Sequence, residues 1–164
     1  MIFSLHIFFL IILLINLSYS QSEKINPSIV DLDGVVYKSN EEIPYTGKVS
    51  TYWENDQLKE EGLYREGVKS GLWKYWHNEG ELSSKGIFRN NLKTGVWIEF
   101  YDNGNKKEEG AYIEDRKDGS WKTWYKSGKK KEQGSYIDYE KDGEWRSWYY
   151  NGQRYYKRNY KNGK

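Results

Sequence analysis

The chain has 164 residues, with 26 basic against 24 acidic side chains and no cysteine. Charge this balanced and this mixed gives no field that would favour nucleic acid, and the missing cysteine excludes disulfides, thiol catalysis and lipid attachment through a thiol. Aromatic residues reach 18%, with 16 Tyr and 8 Trp, while aliphatic residues thin out after Leu17, so rings must build any core.

Residues 1–20 differ from everything after them. Ile7 to Ile15 is an unbroken apolar run that ends, through Asn16 and Leu17, at Ser18-Tyr19-Ser20. Small residues at 18 and 20 match the pattern a signal peptidase reads. The expectation is a signal peptide cleaved before Gln21 and a chain exported to the periplasm, the cell surface or the medium. The rival is an uncleaved N-terminal membrane anchor, but Ile2 to Leu17 is shorter than the roughly 20 residues a span needs.

Residues 21–46 read as a separate N-terminal cap hairpin. Ile29 to Leu32 and Val35 to Tyr37 flank Asp33-Gly34, a short hairpin signal, and the cap is expected to cover the open edge of the sheet built by residues 47–164.

From residue 47 the chain repeats every 24 residues without insertion or deletion: 47–70, 71–94, 95–118, 119–142 and 143–164. Each copy opens on Gly47, Gly71, Gly95, Gly119 or Gly143. Two positions on stands Trp73, Trp97, Trp121 or Trp145, with Val49 in the first copy; five positions on stands Tyr52, Trp76, Phe100, Trp124 or Trp148. Glycine recurs at the fifteenth position as Gly62, Gly86, Gly110 and Gly134, replaced by Arg158 in the last copy. A ring follows two residues later, and Lys69, Lys93, Lys117 and Lys141 precede each new copy.

Aromatic and β-branched runs ahead of Asn103-Gly104, Ser127-Gly128 and Asn151-Gly152 predict β-hairpins, since such dipeptides supply the positive φ a tight turn needs. Repeated glycines exclude helix. The fold class is therefore all-β: tandem antiparallel hairpins, five copies, in one elongated, twisted sheet. The second link of each copy, Arg89 to Thr94 for instance, predicts a longer polar loop.

A two-residue turn fixes the register by counting. Trp97 then faces Gly110, Trp73 faces Gly86 and Trp121 faces Gly134, each of these three rings shielding a bare glycine across its own hairpin, while Trp145 faces Arg158. These Trp and Gly residues form the structural face. The fifth-position rings point the other way, opposite Lys59, Ser83, Lys107, Lys131 and Tyr155. Tyr52, Trp76, Phe100, Trp124 and Trp148 beside Lys59, Lys107 and Lys131 are the candidate binding face.

Catalytic chemistry has little to work with. His77 replaces a ring of the repeat, and with no cysteine and no second usable histidine there is no metal site to expect. Glu60, Glu108 and Glu132 recur at a repeat position, which suits a strand facing Lys and Arg better than an acid pair. No cofactor is expected.

The pattern in Gly95-Val96-Trp97-Ile98-Glu99-Phe100-Tyr101-Asp102-Asn103-Gly104, in Lys117-Asp118-Gly119-Ser120-Trp121 and in the lead-in Ile43-Pro44-Tyr45-Thr46-Gly47 resembles the MORN-repeat variant family over about residues 44–164. The resemblance implies an antiparallel sheet grown hairpin by hairpin. It also implies a binding role, as bacterial members are often labelled antitoxins and related arrays act as protein scaffolds or contact membrane phospholipid. The expected function is a non-catalytic protein-interaction scaffold in the envelope or outside the cell. The alternatives are an antitoxin or immunity-type protein, and a binder of cell-wall glycan or membrane lipid.

Overall fold

The computed structural model describes residues 25, 26 and 29–164, and there is no helix among them. The expected signal peptide at 1–20 and its cleavage point lie outside the described residues. The strands are β1 (Ile25–Asn26), β2 (Ile29–Leu32), β3 (Val35–Lys38), β4 (Gly47–Tyr52), β5 (Leu58–Arg65), β6 (Val68–Trp76) and β7 (Leu82–Arg89). They continue as β8 (Leu92–Phe100), β9 (Lys106–Ile113), β10 (Arg116–Trp124), β11 (Lys130–Ile137), β12 (Glu140–Trp148) and β13 (Arg154–Tyr160). From β4 onward each strand pairs with its sequence neighbours; with β1 beside β4 they form one eleven-stranded antiparallel sheet, and β2–β3 is a separate hairpin.

The two margins of the sheet carry different turns, and both differ from the count made on the sequence. At the hairpin tips Tyr101 N–H donates to Asn105 O (2.8 Å) and Gly104 N–H to Tyr101 O (2.9 Å), closing a three-residue loop with Gly104 at φ +79°. Asp56 takes that left-handed place in the first copy, at φ +65°. A bulge then restores the register: Phe100 pairs with Lys106 but Glu99 pairs with Glu108, so Lys107 is the extra residue. The longer loop shifts the pairing by one residue, the bulge shifts it back, and Trp97 faces Gly110 as expected.

At the other margin the expected polar loops are two-residue turns. Arg89 pairs with Leu92 across Asn90-Asn91, whose φ angles are +50° and +65°. Glu114-Asp115 and Asp138-Tyr139 do the same without any glycine. Neighbouring copies hold this uncommon backbone in place: Asn91 N–H donates to Lys69 O (3.1 Å), while Lys69 N–H donates to Asn91 Oδ1 (2.7 Å). Asp115 and Lys93 repeat the exchange at 3.0 and 2.7 Å. Side-chain acceptors of this kind let Asn and Asp accept a left-handed φ that other residues avoid.

The expected cap at 21–46 divides between two places. The β2–β3 hairpin does not cover the open edge of β4; β1 pairs there, through Ile25 with Thr51 and Asn26 with Ser50. The hairpin instead lies over the inner face of the first copies, where Val36, Val49, Tyr64 and Trp73 form a buried cluster with Ile29, Tyr45, Tyr75 and Phe88 against it. Val36 N–H donates to Gly67 O (2.9 Å) and Tyr45 N–H to Val36 O (2.8 Å), which anchors it. Val49 stands at the Trp position of the first copy and is roofed by this cap rather than by an indole.

Candidate binding face

Each tryptophan of the inner face covers a glycine, but not the one across its own hairpin. A Cβ built on Gly62 would overlap the indole of Trp73, and Gly86, Gly110 and Gly134 stand in the same relation to Trp97, Trp121 and Trp145. The covered glycine therefore lies in the returning strand of the preceding copy, 11 residues upstream. Indole Nε1–H donates to the carbonyl one residue further on: Trp73 to Leu63, Trp97 to Ile87 and Trp121 to Ala111 at 3.2 Å, and Trp145 to Ser135 at 3.0 Å. Each repeat is thereby stitched to the one before it.

The strand reaches that glycine by an excursion at the opening glycine of each copy after the first. Lys117 pairs with Tyr112 and Trp121 pairs with Gly110, so three residues, Asp118 to Ser120, oppose Ala111 alone. Gly119 sits within them at φ +87°, a conformation that residues with a Cβ rarely adopt.

Rings and amines complete the inner face. Tyr64 and Phe88 meet Trp73 edge-on with centroids 5.1 and 6.1 Å away, and Tyr112 and Tyr136 flank Trp121 at 5.3 and 5.6 Å. Edge-to-face contacts add to the area they bury. The ammonium groups of Lys69, Lys93, Lys117 and Lys141 sit 3.9, 4.5, 3.8 and 3.9 Å from the centroids of Trp73, Trp97, Trp121 and Trp145. Lys69, Lys117 and Lys141 also pair with Glu60 (3.2 Å), Glu108 (3.2 Å) and Glu132 (2.7 Å). The recurrent glutamates thus hold lysines over indoles. Burial, with the nearby Glu60 and Asp31 charges adding to it, pushes the Tyr64 hydroxyl up to about 12. Tyr112 is also pushed to about 12, by burial first and then Glu108 and Glu99.

The expected ring-and-amine pairs of the candidate face are rearranged by the bulge. Lys59, Ser83, Lys107, Lys131 and Tyr155 are all bulge residues and face no ring of the fifth position. Lys59 lies 4.9 Å from the Trp53 ring and Lys131 5.8 Å from Tyr125, both at the sixth position, while Lys107 pairs with Glu99 (3.3 Å). The amines beside fifth-position rings come one residue earlier and from the preceding copy: Lys106 lies 5.6 Å from Trp124 and Lys130 5.7 Å from Trp148.

Sixth-position side chains have a role that the sequence did not disclose. Trp53 Nε1–H donates to Trp76 O (3.2 Å), Tyr101 Oη–H to Trp124 O (2.9 Å) and Tyr125 Oη–H to Trp148 O (2.8 Å). His77 Nε2 lies 3.2 Å from Phe100 O, so His77 plays the same structural part as its tyrosine counterparts. Each of these fifth-position residues is therefore held by its carbonyl while its ring stays partly buried on the outer face.

Tyr52, Trp76, Phe100, Trp124 and Trp148 form one row along that face. A second, apolar row runs nearer the two-residue turns. Leu72 pairs directly with Ile87 and Val96 with Ala111, and Leu72, Ile87 and Val96 are 52%, 46% and 57% exposed. Between the rows lie ion pairs, Lys74 with Glu61 (3.0 Å) and Lys122 with Glu109 (3.8 Å). Among the described residues no group of His, Cys, Asp or Glu could hold a metal ion.

No curated protein matches the chain. The repeat pattern, by contrast, is matched five times by the model of one family, MORN repeat variant, and arrays of this kind are commonly involved in binding and scaffolding. The matches fall at residues 45–66, 69–90, 93–114, 117–138 and 141–162, each starting two residues before the glycine that opens a copy, and the chain belongs to the MORN repeat variant family.

Proposed function

We propose that the chain is a non-catalytic scaffold, exported from the cytoplasm, that holds another protein against the outer face of its sheet. One observation carries the reading. The outer face sets a row of partly buried rings beside a short row of exposed aliphatic side chains in the second and third copies, although the core is formed on the opposite side. Contiguous apolar surface of this kind, interrupted by charged pairs, is characteristic of protein interaction sites. Rings whose backbone is fixed by the preceding copy lose little freedom on binding, which favours affinity. Export is supported by the apolar run and the Ser18-Tyr19-Ser20 pattern.

Cross-linking the chain in its native envelope, with identification of the attached proteins, tests this. A discrete protein should be recovered with the wild type and lost with the double variant Trp124→Ala, Trp148→Ala at unchanged folded content. Recovery of no specific protein, or equal recovery with the variant, would remove the outer face as the binding surface. Sedimentation of the wild type with purified cell wall or lipid vesicles, in the absence of other protein, would transfer the role to glycan or lipid.

A further inference from the structure

The last strand of the sheet differs chemically from every strand before it. β13 pairs with β12 on one side and has no strand on its other side among the described residues. Its outer edge is nonetheless shaped like an interior junction. The Asn162-Gly163 turn has φ angles of +49° and +74°, and Gly163 N–H donates to Lys141 O (2.9 Å), as Asn91 does to Lys69 and Asp115 to Lys93. Backbone groups along β13 are therefore presented to an incoming strand in the geometry that β5, β7, β9 and β11 present to theirs.

What would meet that incoming strand has changed. At each interior junction a glycine admits an indole; at β13 the same place holds Arg158. Its guanidinium lies 5.9 Å from the ring centroids of both Tyr156 and Tyr160 and has no carboxylate partner among the described residues. After Glu144 the chain carries Arg146, Arg154, Lys157, Arg158, Lys161 and Lys164 and no Asp or Glu. Glu144 is taken by Lys157 (2.5 Å) and Arg146. Among the described residues the edge combines strand backbone with no neighbouring strand, flanking rings and, in Arg158, a cation with no carboxylate partner.

We infer that the β13 edge docks an extended acidic peptide as an added antiparallel strand, with one of its carboxylates on Arg158 between Tyr156 and Tyr160. Strand addition supplies main-chain hydrogen bonds, and side chains of the host edge supply the selectivity. A second copy fits poorly: two β13 edges would oppose like charges, and the β4 edge of another copy is already paired with β1 and offers Val49 where an indole would stand. Charge complementarity leaves an acidic segment of a different protein. This deepens the scaffold reading, on which it rests, by naming a second surface and the chemistry of its partner.

The test uses the full chain and a fluorescent, end-blocked peptide of about eight alternating Glu and Val residues, read by anisotropy. The acidic peptide should bind and its Lys-Val counterpart should not. Methylating alternate backbone nitrogens of the peptide, which leaves its charge intact, should weaken binding about tenfold or more. Arg158→Glu should weaken it about tenfold, while Lys85→Glu, the same charge change on the outer face of the second copy, should alter it less than about twofold. Arg158→Gly, which restores the residue found at the other junctions, should weaken it also and guards against a folding defect in the glutamate variant. No binding of the acidic peptide, equal binding of its methylated form, or equal effects of Arg158→Glu and Lys85→Glu would overturn the proposal. An oligodeoxythymidine of matched charge binding as tightly as the peptide would overturn it too, by showing a general polyanion site. Capture of an envelope protein through Trp124 and Trp148 with no peptide binding would sink this inference alone; peptide binding without such capture would sink the outer-face reading alone.

Discussion

On the inner face each indole has a glycine beneath it, a carbonyl at its Nε1, rings at its edges and an ammonium group above it. The outer face belongs to the same strands one residue out of phase, and there Leu72, Val96, Ile113 and Ile137 are about half exposed. The inner indole, covered-glycine and lysine positions barely vary between the middle copies. The outer ones drift, from Leu72 and Val96 to Ser120 and Glu144, and from Leu63 and Ile87 to Ser135 and Asn159. A single sheet can thus concentrate its folding instructions on one side and leave the other to change.

The contrast can be broken most severely at an inner indole. Trp97→Ala removes a ring that is only 5% exposed and should cost about 3–5 kcal/mol, read from the denaturation midpoint. Gly110→Ala should cost about 2–3 kcal/mol, because its Cβ would displace Trp121 against backbone that cannot follow. Gly104→Ala, with nothing near its Cβ but a φ of +79°, should cost only about 1 kcal/mol.

Alkali should also act from the inner side. An unfolded tyrosine ionises near 10, whereas Tyr64 and Tyr112 are held to about 12, so their contribution to stability is complete below pH 10 and is lost as pH rises toward 12. Tyrosinate absorbance and loss of near-ultraviolet dichroism should rise together in that window, and Tyr64→Phe should move the midpoint upward. Smaller again is Lys117→Met, which should cost about 1 kcal/mol by removing the cation over Trp121 and the partner of Glu108. Smallest is Val96→Ser on the outer face, which should stay within about 0.5 kcal/mol while reducing partner capture. An equal cost for Trp97→Ala and Val96→Ser would dissolve the distinction between the faces.

Much of this was legible in the residues. The period gave the hairpins, and alternation along a strand separated Trp97 from Phe100. Counting residues yields Cα register but not side-chain contact: Trp73 is paired with Gly86 but leans on Gly62. The ends of the array held the clue. The first copy lacks the tryptophan and the last lacks the glycine, so each of the four indoles has its glycine only if it reaches backward. Arg158 accordingly stands where, among the described residues, no indole arrives. The two-residue turns escape the sequence for another reason. Asn90-Asn91 and Asp138-Tyr139 carry no glycine, and their positive φ is stabilised by Lys69 and Lys117 in the adjoining copy, which local sequence cannot reveal. The loop and the bulge around Gly104 and Lys107 cancelled in the count, so the pairing of Trp97 survived while that of Phe100 did not.

The backward reach of the indole has a genetic consequence. Because Gly86 and Trp97 are 11 residues apart and this interval recurs every 24, excising any 24 consecutive residues within the middle copies rejoins a glycine to an indole at the same interval, wherever the cut begins. Such arrays can lengthen or shorten by unequal recombination at arbitrary phase and still close every junction, provided the two unlike ends are retained.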